Sequence, residues 1–212
     1  MNQFLKLNLC LSVLVCGDFC SALPAEEQAD KRPAARGNLI ENPSFEQRSG
    51  SPKEGEPWGK GFLDGVARSP FAHWGYSGFW DGGDYDIKLG KGHSGNSCAR
   101  LVCRGKGRSG ICTGVIRVAP GAKLQFKGWF KAIGAQSGTC RVNFEGEPGD
   151  GWASIPLPNQ SDYDWTEVTG TVTVPEPKKK TGDKVEICVF TYMQTYGELW
   201  VDDVSLIRIT PQ

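Results

Sequence analysis

From Asn38 onward the chain offers no stretch with helical periodicity. Instead, short runs that alternate apolar and polar residues recur between clusters of Gly, Pro, Asn and Asp. That pattern belongs to antiparallel strands with one buried face. Trp165 to Val174 is the cleanest case, with Val168, Val172 and Val174 on one side and Thr169, Thr171 and Thr173 on the other. In Lys123 to Ala132 the inward set is Leu124, Phe126 and Phe130, which leaves Gln125, Lys127, Trp129 and Lys131 facing out. Comparable runs are "NSCARLVC", "GICTGVIRV", "CRVNFEG", "DKVEICVFTY" and "ELWVDDVSLIRI". Many short strands of this kind predict an all-β fold, a two-sheet antiparallel β-sandwich.

The sandwich is expected to occupy residues 38–212. Residues 1–22 read as a signal peptide: Lys6 supplies the positive start, Leu7 to Val15 the apolar run, and Cys20-Ser21-Ala22 the small residues for cleavage. That run falls short of the ~20 residues a membrane span needs, so the expectation is a secreted, extracytoplasmic protein with no membrane span. Residues 23–37, charged and rich in Pro and Ala, read as a linker. Lysines plus arginines number 24 and so do the acidic residues, so no global field points to nucleic acid or an anionic membrane.

Gly50 to Gly92 differs from the rest. It is rich in Gly and aromatics and poor in aliphatics, and it reads as an ordered, loop-rich crossing over one end of the sandwich. Outside the leader the cysteines are Cys98, Cys103, Cys112, Cys140 and Cys188. Cys103 and Cys112 bracket the Gly-rich "RGKGRSGI", so a disulfide across a hairpin is one reading; the other is that all five are small buried hydrophobes.

Four landmarks stand in order along the chain. They are "NLIENPSFE" (Asn38 to Glu46), "GHSGNSCARL" (Gly92 to Leu101), "VAPGAKLQFKGWFKA" (Val118 to Ala132) and the closing "LWVDDVSLIRI". On these the chain, from Asn38 to Ile209, resembles the jelly-roll carbohydrate-binding modules of the families four, nine, sixteen and twenty-two group, in the galactose-binding-domain-like superfamily. The resemblance implies a jelly-roll sandwich without catalytic machinery that binds a glycan, often in association with glycoside hydrolases. It further implies a structural calcium where the first and last strands meet, with Glu46 and one Asp of "VDD" supplying carboxylates.

The residues themselves are compatible with that calcium. Calcium takes six to eight oxygens and would neutralise the adjacent Asp202 and Asp203. Strict alternation puts Asp202 on the side of Val204 and Leu206, where an unpaired carboxylate is costly, and Asp203 with Ser205, in solvent. Alternatives for Asp202 are a salt bridge or the capping of backbone N–H groups at a strand bend. For sugar binding, flat aromatic faces and polar side chains are needed. Two sets qualify: a sheet face with Gln125, Trp129, Arg141, Asn143 and Glu145, plus Thr169 and Thr171 on another strand, and a loop set with Trp74, Tyr76, Trp80 and Trp152. Trp165 and Trp200 are assigned to the core. His93 reads as a hydrogen-bonding loop residue, and neither it nor His73 adjoins a nucleophile pattern. The expectation is therefore a non-catalytic glycan-binding module, acting with a separate glycoside hydrolase or envelope component. The alternatives are an adhesion module contacting envelope proteins and a small glycoside hydrolase.

Overall fold

The computed structural model describes residues 37–48, 67–68, 71–76, 85–105, 108–136, 140–145, 151–176, 184–194 and 196–209. The presumed signal peptide, nearly all of the linker and Trp80 lie outside them. Among the described residues twelve strands run in chain order: β1 (Ala67–Arg68), β2 (Trp74–Tyr76), β3 (Tyr85–Gly90), β4 (Cys98–Cys103), β5 (Arg108–Thr113) and β6 (Ile116–Val118). They continue with β7 (Lys123–Ile133), β8 (Cys140–Glu145), β9 (Gly151–Pro156), β10 (Tyr163–Thr173), β11 (Val185–Gln194) and β12 (Gly197–Arg208). Every strand pairing is antiparallel. One sheet has the order β1-β2-β5-β11-β8-β9 with β6 also on β11; the other has β10-β7-β12-β4-β3. No helix among the described residues is long and apolar enough to cross a membrane.

The alternation read from sequence sets the faces. Along β7, Leu124, Phe126 and Phe130 are fully buried while Lys123, Gln125 and Lys127 are exposed. Phe126 meets Phe144 of the opposite sheet edge-on, with ring centroids 5.8 Å apart. The two sheets approach closely at Gly170 of β10, where a Cβ would lie 2.4 Å from the Ile155 Cδ1 of β9. Burying these aromatic and branched side chains between two sheets is the main source of the fold's stability.

Two sequence expectations change here. Cys103 and Cys112 do not face each other across a hairpin, because β4 and β5 belong to different sheets. Cys103 points into the shared core, whereas Cys112 sits opposite Phe190, one position from the core residue Ile111. No disulfide joins them. The aromatic region is also more regular than a crossing loop, since β1, β2 and β3 form within it.

The opening segment lies along β12. Asn38 bridges Ile207, and its amide group bonds both the Val204 carbonyl (3.2 Å) and the Leu206 N–H (2.9 Å). Val204 N–H donates to the Pro43 carbonyl at 2.9 Å. Phe45, the apolar residue of "NPSFE", is fully buried and packs on Phe71 and Trp74 at 5.0 and 4.6 Å.

Candidate functional site: an acidic clasp and two sheet faces

β12 contains a bulge. Its register against β7 shifts between Asp202 and Ser205, and Asp203 has a φ of +47°, a left-handed conformation that Asp tolerates better than most residues. The bulge overturns the strict-alternation reading. Leu199 and Val201 point inward before it and Val204 and Leu206 after it, so Asp202 stands on the outer side of the sheet, in register with Trp129. It is nonetheless completely buried, because the turn at residues 91–97 covers it.

That turn supplies Asp202 with its partners. Oδ2 accepts from the backbone N–H of His93 (2.7 Å) and Ser94 (3.1 Å), and Oδ1 from the N–H of Asp203 (2.8 Å). Burial, then the neighbouring Asp203 charge, push the Asp202 carboxyl up to about 7. Cys98 lies alongside, its thiol donating to the Lys91 carbonyl at 3.3 Å. Burial, followed by Asp202, pushes that thiol up to about 12.

Asp203 is not solvated as alternation suggested. Oδ1 accepts from the hydroxyls of Ser44 and Ser94, both at 2.7 Å, and Oδ2 faces His93 Nδ1 at 2.9 Å. Burial alone would raise this carboxyl, but the imidazole and the two hydroxyls outweigh it and hold it below the usual carboxylate range. Glu46 completes the arrangement, its Oε1 accepting the N–H groups of Asn96 (2.8 Å) and Ser97 (3.0 Å). Glu46, Asp202 and Asp203, the carboxylates named from sequence for a calcium, all bind the "GHSGNS" turn, which links the first and last segments into a clasp of hydrogen bonds. His93 is the loop hydrogen-bonding residue it was read to be.

Gly92 gives the turn a second property. A Cβ there would lie 2.4 Å from the Ser94 carbonyl, 2.5 Å from the Ser97 carbonyl and 2.9 Å from Asp202 Oδ2. Hard oxygens of the kind calcium takes are thus gathered on one side of this turn. No three acidic, His or Cys side chains converge among the described residues, so these two carbonyls would be part of any such donor set. Asp203, the other carboxylate named for a metal from sequence, is bonded here to two hydroxyls and an imidazole.

The sugar-site candidates separate. Gln125 and Trp129 lie on β7 in the five-stranded sheet, whereas Arg141, Asn143 and Glu145 lie on β8 in the other. They occupy opposite outer faces of the sandwich and cannot form one surface. Of the loop set, the side chains of Trp74 and Trp152 are described. Trp74 is only 4% exposed, packs against Phe45 and donates its indole N–H to the Asn42 carbonyl at 3.0 Å, so it is core. Trp152 packs on Phe144 at 5.6 Å. Tyr76 is placed through its backbone, which pairs with Ile111, and Glu145 through pairing with Cys188 and Gly151; their side chains lie outside the described set.

On the outer face of the seven-stranded sheet, Arg141 lies over the Tyr192 ring with its Cζ 5.5 Å from the centroid. The Asn143 amide donates to the Tyr192 hydroxyl at 3.2 Å. Phe190, half-buried, is the cross-strand partner of Asn143. Sequence reasoning missed Tyr192 and Phe190, although the alternation in "EICVFTY" placed both on one face.

The opposite face carries three half-buried tryptophans. Trp200, expected in the core, lies outside it under Arg100 and Lys131, whose charges are 5.2 and 5.8 Å from its ring. Trp165, also expected in the core, neighbours His93 at 5.6 Å, and Trp129 stacks on His93 at 3.9 Å.

No family model matches the sequence, and no curated protein matches it. Solved structures do match. An arabinose-bound α-L-arabinofuranosidase of the GH51 type aligns with a TM-score of 0.55 at 13% identity, over 82% of this chain and 27% of that one. This chain thus spans about a quarter of the arabinofuranosidase's length. A family 4 carbohydrate-binding module aligns at 0.47 and 15% identity, over 80% of this chain and 99% of the module. A family 61 module in complex with β-1,4-galactotriose aligns at 0.44 and 16%, over 81% and 99%. At these identities the likeness is one of fold. The fold is a two-sheet antiparallel β-sandwich of the jelly-roll kind.

Proposed function

We propose that the protein is a non-catalytic glycan-binding module whose ligand lies on the outer face of the seven-stranded sheet. The observation that carries this is the register of β8 on β11, which sets Arg141 beside Tyr192 and Asn143 beside Phe190. A guanidinium and an amide supply hydrogen bonds for sugar hydroxyls, and the half-buried phenyl ring supplies an apolar floor for a pyranose C–H face. The fold likeness to an arabinose-bound α-L-arabinofuranosidase supports a carbohydrate setting. Secretion and action beside a separate hydrolase are part of the same reading.

The clasp supports binding over catalysis. Asp203 and His93 have the geometry of an acid–base pair, yet both nearby serine hydroxyls bond to Asp203 rather than to the imidazole. An activated nucleophile needs its base within hydrogen-bonding reach. The clasp is read as structural, with calcium held by Asp202, Glu46 and the carbonyls of Ser94 and Ser97. There it would offset the burial of Asp202.

Affinity electrophoresis in gels containing xylan, β-1,4-galactan or mixed-linkage β-1,3-1,4-glucan tests the reading. Wild-type protein is expected to be retarded by at least one, and Arg141→Ala and Phe190→Ala each to weaken retention roughly tenfold. Unretarded wild-type protein in all three gels would count against glycan binding of this kind.

A further inference from the structure

The outer face of the five-stranded sheet holds an aromatic corner that the proposed binding face does not use. The His93 imidazole lies flat on Trp129, 3.9 Å between centroids and 12° from parallel. Trp165 stands at 63° to the same imidazole, 5.6 Å away. The imidazole is held in place from one edge, where Nδ1 meets Asp203 Oδ2 at 2.9 Å. Asp203 is itself fixed by Ser44 and Ser94, so the ring is oriented before any ligand arrives. The His93 side chain keeps 28% of its surface in solvent. With Nδ1 bonded to a carboxylate, Nε2 is the ring's remaining polar atom, an acceptor in the neutral tautomer.

Apart from Asp203, which is bonded to His93, Ser44 and Ser94, the charges on the neighbouring strands cancel in pairs. Lys127 bonds Glu167 at 2.6 Å, Lys131 bonds Asp164 at 2.9 Å, and Arg100 pairs with Glu198. Glu167 is the cross-strand partner of Trp129, so a Lys–Glu pair borders the aromatic rings directly. A charged ligand would find no unbalanced opposite charge among these pairs. A neutral one with a C–H face for the rings and hydroxyls for Nε2 and the Lys127–Glu167 pair matches these groups.

We propose that His93, backed by Trp129 and flanked by Trp165, forms a second contact for one pyranose ring of a neutral glycan. It lies on the opposite face of the sandwich from Arg141 and Asn143. The proposal rests on the glycan-binding reading above and deepens it: two faces make the module bivalent towards a polysaccharide, so retention on long chains exceeds what either face gives alone.

The test uses the same three polysaccharide gels with the full chain. Trp165→Ala and His93→Ala are expected to weaken retention roughly three- to tenfold. His93→Phe keeps the flat ring but gives up Nε2 and the bond to Asp203, so its retention should fall between wild type and His93→Ala; a merely structural histidine would fail equally in both forms. Adding Trp165→Ala to Arg141→Ala should remove the residual retention of the single variant. Wild-type retention in both His93→Ala and Trp165→Ala, with Arg141→Ala still impaired, would overturn the second contact and leave the first intact. Equal loss in His93→Phe and His93→Ala would overturn it too. Absence of retention in the wild type would overturn both.

Discussion

Asp202 is a buried carboxylate whose bonded partners are three backbone N–H groups. These satisfy its lone pairs, but they do not cancel the combined effect of burial and of Asp203 next door. The carboxyl is raised from its ordinary 3.8 to about 7, and the sign of the resulting pH dependence follows. A group that holds its proton more tightly when folded stabilises the fold fully below its unfolded pKa and loses that contribution as pH rises through the folded value. In calcium-free buffer, thermal stability should therefore fall between about pH 4 and pH 7. Asp203 acts in the opposite sense, and its loss falls below pH 4. Asp202→Asn should remove most of the slope between about pH 4 and pH 7, at a cost of about 1–3 kcal/mol for mismatching one N–H donor. A slope unchanged in that variant would assign the titration to another group.

At the scale of elements, β12 shows what alternation can and cannot convey. β7 and β10 follow the period of two throughout most of their length, and their inward residues are those the pattern names. β12 follows it only in two halves, because the bulge at Asp202 and Asp203 inserts a residue between them. Two adjacent aspartates in an apolar strand were the visible trace of that bulge. Its position depends on Ser44, His93 and Ser94, roughly 110–160 residues away in sequence, which no local pattern conveys. β1 and β2 escaped notice for a different reason: at two and three residues, each is shorter than any period can register. The left-handed backbone at Asp203 makes its own prediction. Asn tolerates that conformation and keeps an acceptor for the serines, whereas a β-branched Val does neither. Asp203→Val should cost about 2 kcal/mol more than Asp203→Asn in urea unfolding, and equal costs would remove backbone geometry as the reason for Asp at this position.

In the whole molecule, the "NPSFE" segment, the "GHSGNS" turn and the closing strand, widely separated in sequence, meet at one clasp. The outer faces of the two sheets meanwhile stand on opposite sides. The candidate residues were legible as outward-facing from alternation, but not as two groups, because alternation does not say which sheet a strand joins. That assignment follows from connectivity: β7 lies between β10 and β12, and β8 between β11 and β9. Gln125 and Trp129 thereby part from Arg141 and Asn143. If calcium completes the clasp, linkage at a hundred times its Kd adds about 2.7 kcal/mol, which raises Tm by roughly 5–10 °C for a chain of this size. Asp202→Ala should abolish that gain, and a melting curve identical in calcium and in chelator would leave the clasp to hydrogen bonds alone.

Backbone amide chemical shifts report directly where the glycan sits. Titrating isotopically labelled protein with an oligosaccharide of whichever polysaccharide retards it should move the amides of Arg141, Asn143, Phe190 and Tyr192 most. Shifts confined to residues away from β8 and β11, with those four unmoved at saturation, would contradict the account.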